Sequence, residues 1–127
     1  MQEQHLYEYA IIRVVPRVER EEFINVGVVI CHWKRHFLAC KIHLDPKKLL
    51  MLDPQADVEM IQLNLASFEK ICAGSSDGGT IASMDLASRF RWLTAVRSSI
   101  IQTSRPHAGS AEDLEKTLER LFEENVL

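Results

Sequence analysis

Cysteine is scarce and scattered: Cys31, Cys40 and Cys72 are the three thiols in 127 residues, and no two stand at the close spacing of a zinc-binding or redox pair. An odd, widely spaced set excludes a disulfide framework and reads as reduced thiols buried like small hydrophobes. Long apolar runs are missing too. Charges interrupt the hydrophobic stretches well short of ~18 residues, so no membrane span is expected. The first residues, Met1 to His5, have neither the basic region nor the apolar core of a leader, which places the chain in the cytoplasm. With five glycines, a phosphate-cradling loop has one place to be, the run Gly74-Ser75-Ser76-Asp77-Gly78-Gly79. That run lacks a following Lys-Ser or Lys-Thr and comes after a helical pattern, so it reads as a flexible loop.

A local absence is more informative. No acid occurs between Asp85 and Glu112, a stretch that holds Arg89, Arg91, Arg97 and Arg105. Immediately after it Glu112, Asp113, Glu115, Glu119, Glu123 and Glu124 face only Lys116 and Arg120. The net charge of -3 and pI of about 5.9 rule out a generic polyanion binder while leaving this local separation of charge.

What is present describes one folded domain, residues 1–127. The apolar fraction of 46% and charged fraction of 26% are those of a globular protein, and a chain of this length buries about two-thirds of its unfolded surface. The pattern predicts a first strand over residues 5–15, rich in Tyr, Ile and Val and closed by Pro16, with Arg13 a lone charge among apolar neighbours. After the charged connector Arg17 to Glu22, the stretch Phe23 to Ile30 reads as the central strand. Plain alternation puts Ile24, Val26, Val28 and Ile30 on one face, with Phe23, Asn25, Gly27, Val29 and Cys31 on the other. A hairpin centred near Lys34-Arg35 leads to a third strand over residues 36–44.

Two Asp-Pro pairs, Asp45-Pro46 and Asp53-Pro54, each predict a helix start, with aspartate as cap and proline in the first turn. The second helix carries Val58, Ile61, Leu65, Phe68 and Cys72 at helical spacing and ends near Ala73. Another helix follows Asp85, with Leu86, Phe90 and Leu93 on one face. A short strand around Ile100 and Ile101 ends at Pro106. Ser110-Ala111-Glu112-Asp113 resembles a capping box, and Leu114, Leu118, Leu121 and Phe122 form one side of a last helix. The fold class expected is α+β, a predominantly antiparallel sheet of three to four strands with helices packed on at least one face.

Two groups of residues are candidates for function. Asn25 and Gly27 interrupt a β-branched strand, where a glycine costs stability unless a bulge or a close backbone approach requires it. They either shape the backbone or face a ligand. The second group is Arg89, Arg97, Ser98, Gln102 and Arg105. On a helix from Asp85, Arg89 and Arg97 lie two turns apart on a shared side, and guanidinium forks beside hydroxyls suit a phosphate or carboxylate. Three readings stand for this set: neutralisation by the acidic last helix, contact with a protein or nucleic-acid partner, and a small anionic ligand. His32 and His36 flank the hairpin turn without a thiolate or carboxylate partner, and Asp45 and Asp53 are occupied as caps beside Asp57. No catalytic residue, metal site or cofactor is therefore expected.

The order of these motifs resembles a bacterial family, domain of unknown function 3037. The resemblance is carried by Tyr7-Glu8-Tyr9-Ala10 with Arg13 and Pro16, by Glu22-Phe23-Ile24-Asn25-Val26-Gly27-Val28, and by Arg89-Phe90-Arg91-Trp92-Leu93-Thr94 followed by Arg97-Ser98, Ile101-Gln102 and His107. It spans nearly the whole chain. The sequence departs from the family pattern at Val96, where proline is expected, and at Arg105-Pro106, where proline tends to follow serine. The resemblance implies no activity, and it implies a partner in kinase-like proteins of the HipA type, beside whose genes such chains often lie. The expected function is a non-catalytic interaction or accessory module of a bacterial assembly. The rival is a nucleic-acid-binding or processing protein that uses the arginines on phosphates.

Overall fold

Alternating Tyr, Ile and Val residues form the long strand β1, His5–Val14, at the middle of the sheet. The computed structural model describes residues 4–127; residues 1–3, the start of the stretch read for a leader, lie outside the described residues. β1 pairs antiparallel with β2, Ile24–His32, which pairs antiparallel with β3, Phe37–Ile42. On its other edge β1 takes two short strands end to end, β4, Ile101–Thr103, and β5, His107–Ala111. The protein is thus α+β, with a five-stranded antiparallel sheet of order β3-β2-β1-β4 and β5 also on β1. Among the described residues no helix is long and apolar enough to cross a membrane.

Helices cover both faces. On one face α1, Pro46–Leu52, α2, Val58–Ala73, and α3, Leu86–Thr94, supply Leu49, Ile61, Leu65, Phe68, Phe90 and Leu93 to a core with Ala10, Ile12 and Val14 of β1. On the other, α4, Leu114–Asn125, lays Leu114, Leu118, Leu121 and Phe122 against Tyr7, Ile11, Val28 and Ile30. The two clusters are separate, and each fully buried Leu, Ile or Phe in them contributes roughly 1.5–3 kcal/mol. α4 packs over β2 and β3, which leaves the β4 side of β1 uncovered by it.

Asn25 and Gly27 owe their places to a bulge. Ile12 pairs with Gly27 and Arg13 pairs with Asn25, so Val26 is an extra residue on β2. The alternation reverses there: Ile24 and Val26 pack with the α2–α3 core, while Val28 and Ile30 pack under α4. The single-face reading of these four residues is corrected accordingly, because an inserted residue shifts everything before it to the opposite side. Gly27 lies so close to β3 that a Cβ would meet the Lys41 carbonyl oxygen at 2.5 Å and Ile42 Cγ1 at 2.9 Å.

Two helix starts differ from expectation. Asp45 does cap α1, accepting from the Lys47 N–H at 2.9 Å, but α2 begins after Asp57, whose side chain accepts from the Met60 N–H at 3.1 Å. Asp53 instead closes α1, accepts from the Gln55 N–H and pairs with Arg17 at 3.9 Å. The capping-box reading of Ser110 also gives way. Ser110 and Ala111 belong to β5, and Asp113 caps α4 by accepting from the Lys116 N–H at 3.0 Å. β5 lacks β-branched residues and is held by pairing, with Tyr7 opposite Gly109 and its ring lying where a Cβ of that glycine would stand.

Candidate functional site

Register builds a polar row across three strands. Arg13 of β1 pairs with Asn25 of β2 on one side and Gln102 of β4 on the other, so these three side chains share a face. It is α4's face, since the Asn25 Nδ2 group donates to the Asn125 carbonyl oxygen near the end of α4 at 3.1 Å. Beyond that contact the helix does not reach, and a groove of about 600 Å³ opens. Arg13 and Gln102 line it from the sheet, Glu21 and Phe23 from the β1–β2 connector, and Arg97 and Ser98 from the loop between α3 and β4.

Each guanidinium is held by an aromatic ring. Arg13 Cζ lies 4.2 Å from the Phe23 ring centroid, and Arg97 Cζ lies 4.2 Å from that of Trp92. Stacking fixes the plane of each group while leaving edge donors available, at about 0.5–1 kcal/mol per pair. The Arg97 Nη2 group also donates to the Trp92 carbonyl oxygen. Burial lowers the Arg97 pKa from its ordinary value, the direction that partial desolvation of a cation produces. The Arg13 Nε–H is buried and has no hydrogen-bond partner within the protein, as is also true of the Asn25 Oδ1 atom. Among the described residues no ion pair joins Arg13 or Arg97 to a carboxylate. Glu21, in the left-handed region at φ 58°, is the acid on the groove's rim. Apolar surface adjoins the cations, with Phe23 44% and Val96 103% exposed.

The arginines singled out in sequence do not act as a set. α3 ends at Thr94 and Ala95 is extended, so Arg97 lies outside the helix and the shared helical side with Arg89 does not form. Arg97, Ser98 and Gln102 meet in the groove; Arg89 and Arg105 do not line it. Arg89 is half-buried on α3 with its guanidinium against Gly74, the left-handed residue that ends α2, where a cation complements the helix dipole. Arg105 is exposed at the corner between β4 and β5, where its carbonyl accepts from Ser104 Oγ. Neutralisation by the acidic last helix is not what occurs, because α4 covers β2 and β3. Its acids turn elsewhere: Glu119 pairs with Lys41 at 2.5 Å and Glu124 with Arg120 at 3.2 Å. Asn25 anchors α4 and Gly27 accommodates β3, so both shape the strand that carries the row.

Two groove residues had weak signals in the sequence. Arg13 is a lone charge in an apolar strand and Phe23 reads as the strand's first residue; only the register and the connector bring them to the groove that Arg97 lines.

The thiols lie on the other face. Cys31 pairs opposite Leu38 and Cys40 opposite Val29, so the two are offset, and all three cysteines are free. Burial, reinforced by Glu8 and opposed by Arg89, pushes the Cys31 thiol up to about 12. A hydrogen bond with Cys40 and then burial drive the Cys72 thiol far above its ordinary value. Such thiols stay protonated and unreactive. Among the described residues no group of three or more His, Cys, Asp or Glu side chains is placed to hold a metal ion.

No curated protein and no solved structure matches the chain. The model of a family described as a protein of unknown function, DUF3037, matches residues 9–126, nearly the whole length. The chain belongs to the DUF3037 family.

Proposed function

We propose that this protein is a non-catalytic interaction module working in the cytoplasm, and that the groove between β1, the β1–β2 connector and the α3–β4 loop is its contact surface for a protein partner. The observation that supports this reading is that Arg13 and Arg97, each stacked on an aromatic ring and, among the described residues, without a carboxylate partner, line one groove together with Ser98 and Gln102. These are groups that bind rather than react. Phe23 and Val96 add exposed apolar surface of the kind that fills the centre of a protein interface.

The nucleic-acid reading draws less support, because Arg89 and Arg105 do not line the groove. The test compares capture of partners from the native host by the wild-type chain and by an Arg13→Gln, Arg97→Gln variant whose fold is verified by circular dichroism. A partner lost with the variant is expected. A partner retained at equal yield contradicts the groove as the contact surface. A salt-sensitive shift of DNA or RNA that the same variant abolishes favours the rival.

A further inference from the structure

We infer that the groove is a carboxylate-recognition site, and that what it takes is an acidic segment of a protein chain in which an Asp or Glu side chain lies beside an apolar one. The inference rests on the interaction-module reading and names the ligand chemistry for the same groove.

Four features converge on it. First, both cations are arginines, whose planar forks match a planar carboxylate with two parallel N–H···O bonds. Second, one face of each is stacked, on Phe23 and on Trp92, which fixes its plane and leaves edge donors, where carboxylates bind. Third, the Arg13 Nε–H is a buried donor with no acceptor in the protein, and such a donor is costly unless a ligand satisfies it. Fourth, the rim discriminates among anions. Glu21 shares the groove, and a dianionic phosphate or a polyphosphate backbone meets more repulsion from it than a single carboxylate does.

The apolar requirement follows from what adjoins the cations. Val96 is fully exposed and Phe23 nearly half so, next to Arg97 and Arg13 respectively. Ser98 and Gln102 stand at the same wall, a hydroxyl and an amide able to serve a main-chain group of the bound segment. The Gln102 Nε2 group already donates to the Ser99 carbonyl oxygen at 2.8 Å, which leaves its own oxygen for an incoming N–H.

Trp92, under Arg97, is a built-in reporter. In a Trp33→Phe background it is the sole tryptophan, since the chain has two. The experiment titrates this protein with an end-blocked peptide containing Asp-Leu-Glu, with its Asn-Leu-Gln counterpart, with inorganic phosphate and with a single-stranded oligothymidylate, following Trp92 fluorescence. Saturable binding of the acidic peptide is expected, weakened about tenfold or more in the amide peptide and in the Arg13→Gln variant. Phosphate and oligothymidylate are expected to bind more weakly than the acidic peptide.

Equal binding of the amide peptide, tighter binding of phosphate or of oligothymidylate, or no saturation up to about 10 mM acidic peptide overturns the inference. The two readings separate cleanly. If host partners are lost with the Arg13→Gln, Arg97→Gln variant while the acidic peptide fails to bind, the carboxylate inference falls and the module reading stands. If partner capture ignores those substitutions, the module reading itself falls.

Discussion

On the side of the sheet covered by α2 and α3, the inward residues of three helices meet β-strand side chains in one closed core, down to buried thiols. On the opposite side one twelve-residue helix covers β2 and β3 and stops, and the strip from β1 to β4 is finished with Arg13, Gln102 and the loops that carry Phe23 and Arg97. The first side has the chemistry of stability, with apolar groups and neutral thiols excluded from water. The second gathers two ring-stacked arginines, Arg13 and Arg97, at one opening, an arrangement that stability alone does not call for. Burial alone does not tell the two sides apart: Arg89, on a helix, and Arg13, on a strand, are both half-buried with a buried, unpaired Nε–H, and only Arg13 lines the groove.

Substitutions break this comparison in graded ways. The largest expected effect is Phe90→Ala. This side chain is 1% exposed in the closed core and meets Trp33 edge-to-face at 5.5 Å, so its loss is expected to cost about 4 kcal/mol in urea unfolding. Gly27→Ala comes next at about 2 kcal/mol, because the new methyl collides with the backbone of β3 rather than with a mobile side chain.

The thiols sharpen the contrast through pH. The folded Cys31 pKa is raised from 9.0 to about 12, so its contribution to stability is full below pH 9 and is lost as pH rises from there towards 12, at up to about 1.4 kcal/mol per pH unit. A urea midpoint that falls above pH 9, with part of the slope missing in Cys31→Ala, is the expected result. Asp113→Ala removes the acceptor for the Lys116 N–H at the start of α4 and is expected to cost about 1 kcal/mol. Arg97→Gln, on the open side, is expected to change the unfolding free energy by less than about 0.5 kcal/mol. A stability loss there as large as that of Phe90→Ala would show Arg97 to be a core residue.

Much of the architecture was legible because it rests on local signals. Helical spacing located Leu65, Phe68, Phe90 and Leu121, aspartates marked the starts of α1 and α3, and Gly74 marked the end of α2. β5 was hidden because His107 to Ala111 has no strand composition of its own; Tyr7, more than a hundred residues earlier, supplies what the glycine lacks. Asp53-Pro54 misled because an aspartate that closes one helix and bonds its own turn has the same local sequence as one that opens the next. Asn25 and Gly27 were recognisably unusual, yet the reason, an extra residue that reverses the strand's faces, is a property of pairing.

The site was legible only in part for the same cause. Arg97, Ser98 and Gln102 lie close in sequence and were found together. Arg13 joins them through the β1–β4 register and Phe23 through the connector, distances in the chain that no local pattern spans. Arg89 joins them in sequence by helical spacing, which fails because α3 ends at Thr94, and Arg105 by sign of charge, which says nothing about direction.

Amide hydrogen exchange on the protein with and without a bound partner tests the central claim most directly, because it reports both sides of the sheet at once. Protection is expected around Arg13, Phe23 and residues 96–102, with exchange in α2 unchanged. Protection confined to the outer surface of α2 and α3, with the groove exchanging as in the free protein, would contradict the account.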